Sequence, residues 1–194
     1  MLFRSSEATF ASLREEKLPV LTKDIGEKME AAILAAKAEG DSVGGIVECM
    51  VTGLPIGLGD PFFDSLESEL SHMMFSIPAV KGIEFGDGFA LAAMKGSAAN
   101  DGMRWAEGKV ETKTNHNGGI LGGISGGSPV IFRLAIKPTA SIGKPQLTVN
   151  LAERKDTLLT IGGRHDPCII PRAIPVIETA AALVILDEIL VTSD

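Results

Sequence analysis

Residues 115–127, NHNGGILGGISGG, carry three glycine pairs, at 118–119, 122–123 and 126–127. So dense a run of glycine punctuates the chain, and it leaves two arrangements open. The glycines let two elements pack closely, or they bring bare backbone amides up against a ligand. No phosphate-loop pattern (Gly-x-x-x-x-Gly-Lys-Ser/Thr) occurs, and no Gly-x-Gly-x-x-Gly lies between a strand and a helix. Neither a nucleotide loop nor a dinucleotide-binding turn is therefore supported.

The elements around this run set the fold class. Ile25, Met29, Ala32, Ile33 and Ala36 recur at helical spacing over 22–39, with Thr22 placed to cap and Gly40 to stop. Ile46–Val51 alternates as a half-buried strand does. Asp60-Pro61 reads as a helix start, with Phe63, Leu66, Leu70, Met73 and Met74 forming the apolar stripe behind it and Pro78 ending it. Val80–Phe85 and Phe89–Ala93 read as two strands joined across Gly-Asp-Gly. Trp105 falls in a polar loop, VIFRLAIKP (130–138) reads as a further alternating strand and Leu147–Leu151 as another, and a last helix runs from about Pro171 to Leu190. Helices and strands interleave irregularly, with a hairpin rather than long crossovers, which predicts an α+β fold with an antiparallel sheet. No repeat or linker interrupts 22–190, so 22–194 is expected to be a single domain behind a poorly placed segment at 1–21.

Composition narrows the partners. The 194 residues are 45% hydrophobic and 22% charged, with a formal net charge of −7. An acidic surface repels nucleic acid and anionic membranes, so an anionic ligand must be held by basic groups in a local cleft. Lys137, Arg164 and Arg172 are the cations set in apolar, glycine-rich surroundings. No run reaches the ~18 apolar residues of a membrane span, and the N-terminus has no secretory h-region. Cys49 and Cys168 match no disulfide framework, so two free thiols in the cytoplasm are expected.

Two segments carry candidate chemistry. In KPTASI (137–142) a lysine at the end of an apolar strand, a proline-fixed turn and two hydroxyls suit a phosphate or carboxylate, or make a solvated surface turn. In GGRHDPCIIPRAIP (162–175) His165 and Cys168 have H-x-x-C spacing, but His72 and His116 lack partner spacing for a metal, and Cys168 runs into an apolar stretch. An ionic reading fits better. If Pro171 opens the last helix, 164–168 lie ahead of its N-terminus, where an anion is favoured. Arg164 adds a fixed cation, and Asp166 in that field stays ionised and able to accept or shuttle a proton. The alternative is a capping salt bridge between Asp166 and Arg164.

GRHDPCIIPRAIPVIE at 163–178 closely resembles the C-terminal signature of the chorismate synthase family. GDSVGG, GLPIGLGDPFFD, SIPAVKGIEFGDGFA, GSAAND, NHNGGILGGISGG and KPTASI resemble further blocks of the same family, in order, over 40–178. The resemblance implies 1,4-elimination of phosphate and a ring proton from 5-enolpyruvylshikimate 3-phosphate to give chorismate, with reduced FMN required. It implies a homotetramer with helices sandwiched between antiparallel sheets. It places Pro78, Ala79, Gly122, Lys137, Pro138, Thr139, Ala140 and Ser141 in contact with FMN, Arg164 in the flavin and substrate region, and Asp166 near flavin N5 as a proton relay. The blocks bearing two histidines and the substrate-binding arginines have no counterpart, and RSSE at 4–7 does not stand in for the family's RSSARET-like block. The resemblance therefore implies a C-terminal part with little or no turnover of its own and a tendency to self-associate. No NADP-dependent flavin-reductase signature is visible.

Overall fold

The strand Val130–Ile136 is apolar almost throughout, and the three-stranded sheet is built on it. In the computed structural model, which describes residues 12–13, 16, 18–106 and 108–192, the chain forms two compact units. One comprises the chain up to residue 45 together with 137–173, the other 46–136 together with 174–194. Most of the 1–21 segment, including RSSE, lies outside the described residues.

In the first unit, α1 spans Lys23–Ala38. Its end is as the sequence predicts: Gly40 has φ +69°, the Gly40 amide donates to the Lys37 carbonyl and the Asp41 amide to that of Ala36. This paired closure satisfies carbonyls that the last turn leaves open. Its start differs, because Thr22 is extended and its side chain makes no capping hydrogen bond. Of the predicted apolar stripe only Ala36 is buried, and Ile25 is half exposed.

The second unit holds β1 (Gly45–Val51), a 3-10 turn at Phe62–Asp64, α2 (Leu66–Ser76), β2 (Val80–Phe85), a 3-10 segment at Gly88–Ala93 and the short α3 (Gly96–Ala99). After these come β3 (Met103–Ala106), β4 (Lys109–Thr112), β5 (Ile120–Leu121), β6 (Ile124–Ser125) and β7 (Val130–Ile136). The strand order β1-β7-β2 puts β7 in the middle, so Val130, Ile131, Phe132, Leu134 and Ile136 are all buried. A strand covered on both edges and flanked on its faces reads as a nearly continuous apolar run. β2 pairs antiparallel with β7, and Phe85 stands opposite Phe132 with ring centroids 5.8 Å apart. Helix α2 lies against β2 and buries Leu66, Leu70 and Met74, one residue per turn.

Three expectations fail here for local reasons. The helix does not begin at Pro61: Pro61 and Ser65 are both extended, and the Ser65 hydroxyl accepts the Ser68 amide at 3.1 Å, so the helix begins five residues later, at Leu66. Phe63 is consequently 90% exposed rather than part of the stripe. Residues 89–93 form no strand, because the Asp87 amide goes to the His116 carbonyl and the Phe89 amide to Glu84 Oε2, which curls the chain after β2. Trp105 is on a strand, β3, opposite Val110 of β4.

The chain returns to the first unit for β8 (Gln146–Asn150) and β9 (Lys155–Leu159), an antiparallel hairpin. The last helix, α4, runs Ile170–Thr192. Its part in the second unit buries Ile177, Ala180, Ala181, Val184 and Ile185, a stripe of period i, i+3, i+4, i+7, i+8. The architecture is α+β with antiparallel pairing, as the sequence implies.

Candidate functional site

The site is best defined in the first unit, where residues 40–45 run between the two candidate segments and hydrogen-bond to both. Ser42 Oγ donates to the Thr139 carbonyl at 2.7 Å, and the Val43 amide donates to the Pro167 carbonyl at 2.8 Å. The KPTAS loop is closed beneath by the Gly143 amide on the Gly40 carbonyl, 2.9 Å. Lys144 Nζ bridges Glu39 Oε2 at 2.9 Å and Asp41 Oδ2 at 2.8 Å. The Lys144 hydrogen bond, helped by the Ser42 amide, holds Asp41 below the usual carboxylate range, and Asp41 in turn raises Lys144.

That arrangement separates two lysines close in sequence. Lys144 is neutralised by two carboxylates, whereas Lys137 is exposed and has no ion pair among the described residues. Pro138, Ala140 and Ser141 are exposed as well. Thr139 Oγ1 differs, being buried with no hydrogen-bond partner among the described residues. A buried hydroxyl without a partner carries a desolvation cost that a bound polar ligand would remove.

The RHDP segment is tied at three consecutive residues. His165 Nε2 donates to the Ile161 carbonyl at 2.9 Å, Asp166 Oδ2 pairs with Arg172 Nη2, and the Pro167 carbonyl accepts from Val43. The capping alternative of Asp166 with Arg164 is thus corrected: the partner is Arg172, in the first turn of α4. Arg164 is exposed and unpaired among the described residues. The helix terminus itself offers less than the sequence suggests. Pro171 has no amide hydrogen, and the Arg172 and Ala173 amides both donate to the Ile169 carbonyl. Attraction for an anion here comes from side-chain cations rather than from free helix amides.

The second unit resolves the glycine run residue by residue. Gly122 and Gly123, at φ +64° and +91°, form the two-residue turn of the β5–β6 hairpin. A Cβ on Gly123 would lie 2.5 Å from the Asp60 carbonyl oxygen, and one on Gly118 would lie 2.7 Å from that of Ile131. Those two glycines serve close packing. A Cβ on Gly122 would meet nothing within 4 Å, so its backbone is approachable. Pro78 is exposed, and Ala79 holds φ +72°, rare for a residue with a side chain.

Two networks in this unit join residues of separate motif blocks, a pairing that the sequence does not announce. Asp101 accepts from Thr114 Oγ1 (2.7 Å), the His116 amide (2.8 Å), the Asn117 amide (3.0 Å) and Asn117 Nδ2 (2.9 Å). Burial pushes its carboxyl upward, but these bonds together outweigh burial and hold it below the usual range. His116 Nδ1 meets Asp87 Oδ2 at 2.5 Å, fastening the turn after β2 to the start of the glycine run. Among the described residues no group of three or more His, Cys, Asp or Glu side chains could hold a metal ion. Both cysteines are free thiols, and burial, with Glu178 and Glu48 adding negative charge, pushes Cys49 up to about 12.

Comparison with known proteins decides the family. The chorismate synthase family model matches residues 5–190. This chain belongs to the chorismate synthase family. The match begins at residue 5, and so reaches into the 1–21 segment that the motif blocks left out. A chorismate synthase of Methanosarcina acetivorans is 50% identical over 191 residues, 96% of this chain and 52% of that protein. The chorismate synthases of Korarchaeum cryptofilum and Chitinophaga pinensis are 51% and 54% identical, across 84% and 86% of this chain and 45% and 48% of theirs. A crystal structure of a chorismate synthase superposes with a TM-score of 0.76 at 27% identity, covering 95% of this chain and 48% of its own. The chain spans about half the length of the curated chorismate synthases it matches.

Proposed function

We propose that this chain carries part of the flavin-binding surface of a chorismate synthase, acting on 5-enolpyruvylshikimate 3-phosphate. The observation that carries the reading is the sorting of charge in the first unit. Lys144 and Arg172 are neutralised, while Lys137 and Arg164 stand free, beside a buried Thr139 hydroxyl that lacks a partner. An acidic chain that leaves two cations unpaired on adjoining loops is suited to an anionic ligand. The residues present fit a flavin. In the first unit Lys137 to Ser141 would hold it and Thr139 Oγ1 would gain a hydrogen bond; Gly122, Pro78 and Ala79 are assigned by resemblance.

Reduced FMN, when bound, supplies transient electron donation to the substrate in a reaction without net redox change. The chain's own part is to bind and to handle a proton. Arg164 and Lys137 would attract phosphate groups, and Asp166, paired with Arg172, would accept or relay the proton lost from the ring. The blocks with two histidines and the substrate arginines have no counterpart here, so the chain alone is proposed to turn over little and to need those groups from elsewhere. A homo-oligomer in the cytoplasm is part of the same proposal; no helix among the described residues is long and apolar enough to cross a membrane.

Flavin titration tests the reading. Reduced FMN should bind the full chain, and Lys137→Ala and Arg164→Ala should each weaken binding about tenfold or more, the scale of one lost charged contact. Unchanged affinity in both variants would remove the assignment. A coupled assay showing normal turnover by the chain would overturn the claim that it is incomplete.

A further inference from the structure

We infer that Arg172 is the positioning residue for Asp166, fixing its carboxylate so that Arg164 remains free for an anion. The inference rests on the proton-handling role proposed for Asp166. Two guanidiniums flank this carboxylate in sequence, two residues before it and six after. Adjacency favours Arg164, yet the ion pair is made by Arg172 Nη2 from the first turn of α4. The geometry explains the choice. His165 is turned to the Ile161 carbonyl and Pro167 is held by Val43, so the segment between them is fixed while Arg164 points to solvent.

The helix end leaves the Arg172 side chain as the group that holds this carboxylate. With Pro171 lacking an amide and the Arg172 and Ala173 amides spent on Ile169, the backbone supplies little to stabilise a charge at 166. A side-chain cation does so instead. Arg164 and the titratable His165 lie on the same loop, and the 40–45 loop bonded to Pro167 carries Asp41, which is neutralised by Lys144. A carboxylate held in one place can accept a proton and pass it on, and Arg172 fixes where Asp166 does so.

The test uses the full chain labelled with 13C at aspartate, following the Asp166 carboxyl resonance against pH. Arg172→Gln should raise its titration midpoint by about one unit, at the low end of the range for a lost opposite charge because the pair is partly exposed. Arg172→Lys should restore most of the shift, and Arg164→Gln should leave it in place. An unmoved midpoint in a folded Arg172→Gln chain, or a larger shift from Arg164→Gln, overturns the inference. Titrating reduced FMN into the same samples keeps the two ideas apart: lost flavin binding in Arg164→Gln with an Asp166 midpoint set by Arg172 supports both. An Arg172-dependent midpoint with no flavin binding by the parent chain leaves the clamp standing and removes the proposed function.

Discussion

Single residues in this chain are held by hydrogen bonds that the sequence does not advertise, and Asp101 is the clearest. Four donors converge on its carboxylate. Asp101→Asn should therefore cost about 1–3 kcal/mol, since one amide nitrogen would face donors where an oxygen now accepts them. The charge dependence has a definite sign. The folded value lies below the unfolded one of about 3.9, so this stability is present above that pH and is lost as pH falls through the folded value. Urea midpoints between pH 5 and pH 2 should fall more steeply for the parent chain than for the variant; parallel slopes would show that the carboxylate adds nothing. Legibility at this scale was uneven. The basic residues worth following were visible from their apolar surroundings, but which cation meets which acid was not. Arg172 lies six positions beyond Asp166, and pairing over that span depends on how the helix starts.

Elements were legible where burial imposes a period. The existence of strand β7 and helix α4 was legible, but β7 is buried nearly throughout rather than alternating, and α4 buries a stripe at 177, 180, 181, 184 and 185, because each faces a packed interior. The β3–β4, β5–β6 and β9 strands left no such trace. They are two to five residues long, and several of their large apolar residues, among them Trp105, Leu121 and Leu158, are exposed, so no in–out alternation marks them. The glycine run shows the same limit within one element. Its composition allows packing or ligand approach, and only the turn geometry shows that Gly123 is packed closely while Gly122 faces open space. Gly122→Ala should cost about 1 kcal/mol, from its left-handed backbone alone. Gly123→Ala should cost roughly 3 kcal/mol or more, because the new methyl must also displace the Asp60 carbonyl. Thermal unfolding of the two variants checks the order, and equal losses would refute the division of labour.

At the scale of the whole molecule, the apolar surface is large for a free chain. In the first unit the hairpin carries Leu147, Val149 and Leu158 on one face, with Leu147 84% exposed; in the second, α4 exposes Leu183, Leu186 and Leu190. Patches of this kind drive association. We expect light scattering to show mass rising with concentration over the micromolar range, and a constant monomer mass would contradict it. The sequence indicated α+β architecture and family but could not show the division into two units, since each is assembled from stretches far apart in the chain.

That interleaving has a cost during synthesis. Ser42 must wait for Thr139, 97 residues later, and Asp41 for Lys144, 103 residues later. At roughly 5–20 residues per second the ribosome takes about 5–20 s to deliver those partners. Throughout that interval α1 and the loop after it have left the tunnel with nothing to dock on, so a pause in translation ahead of Lys137 prolongs their exposure to proteases and chaperones.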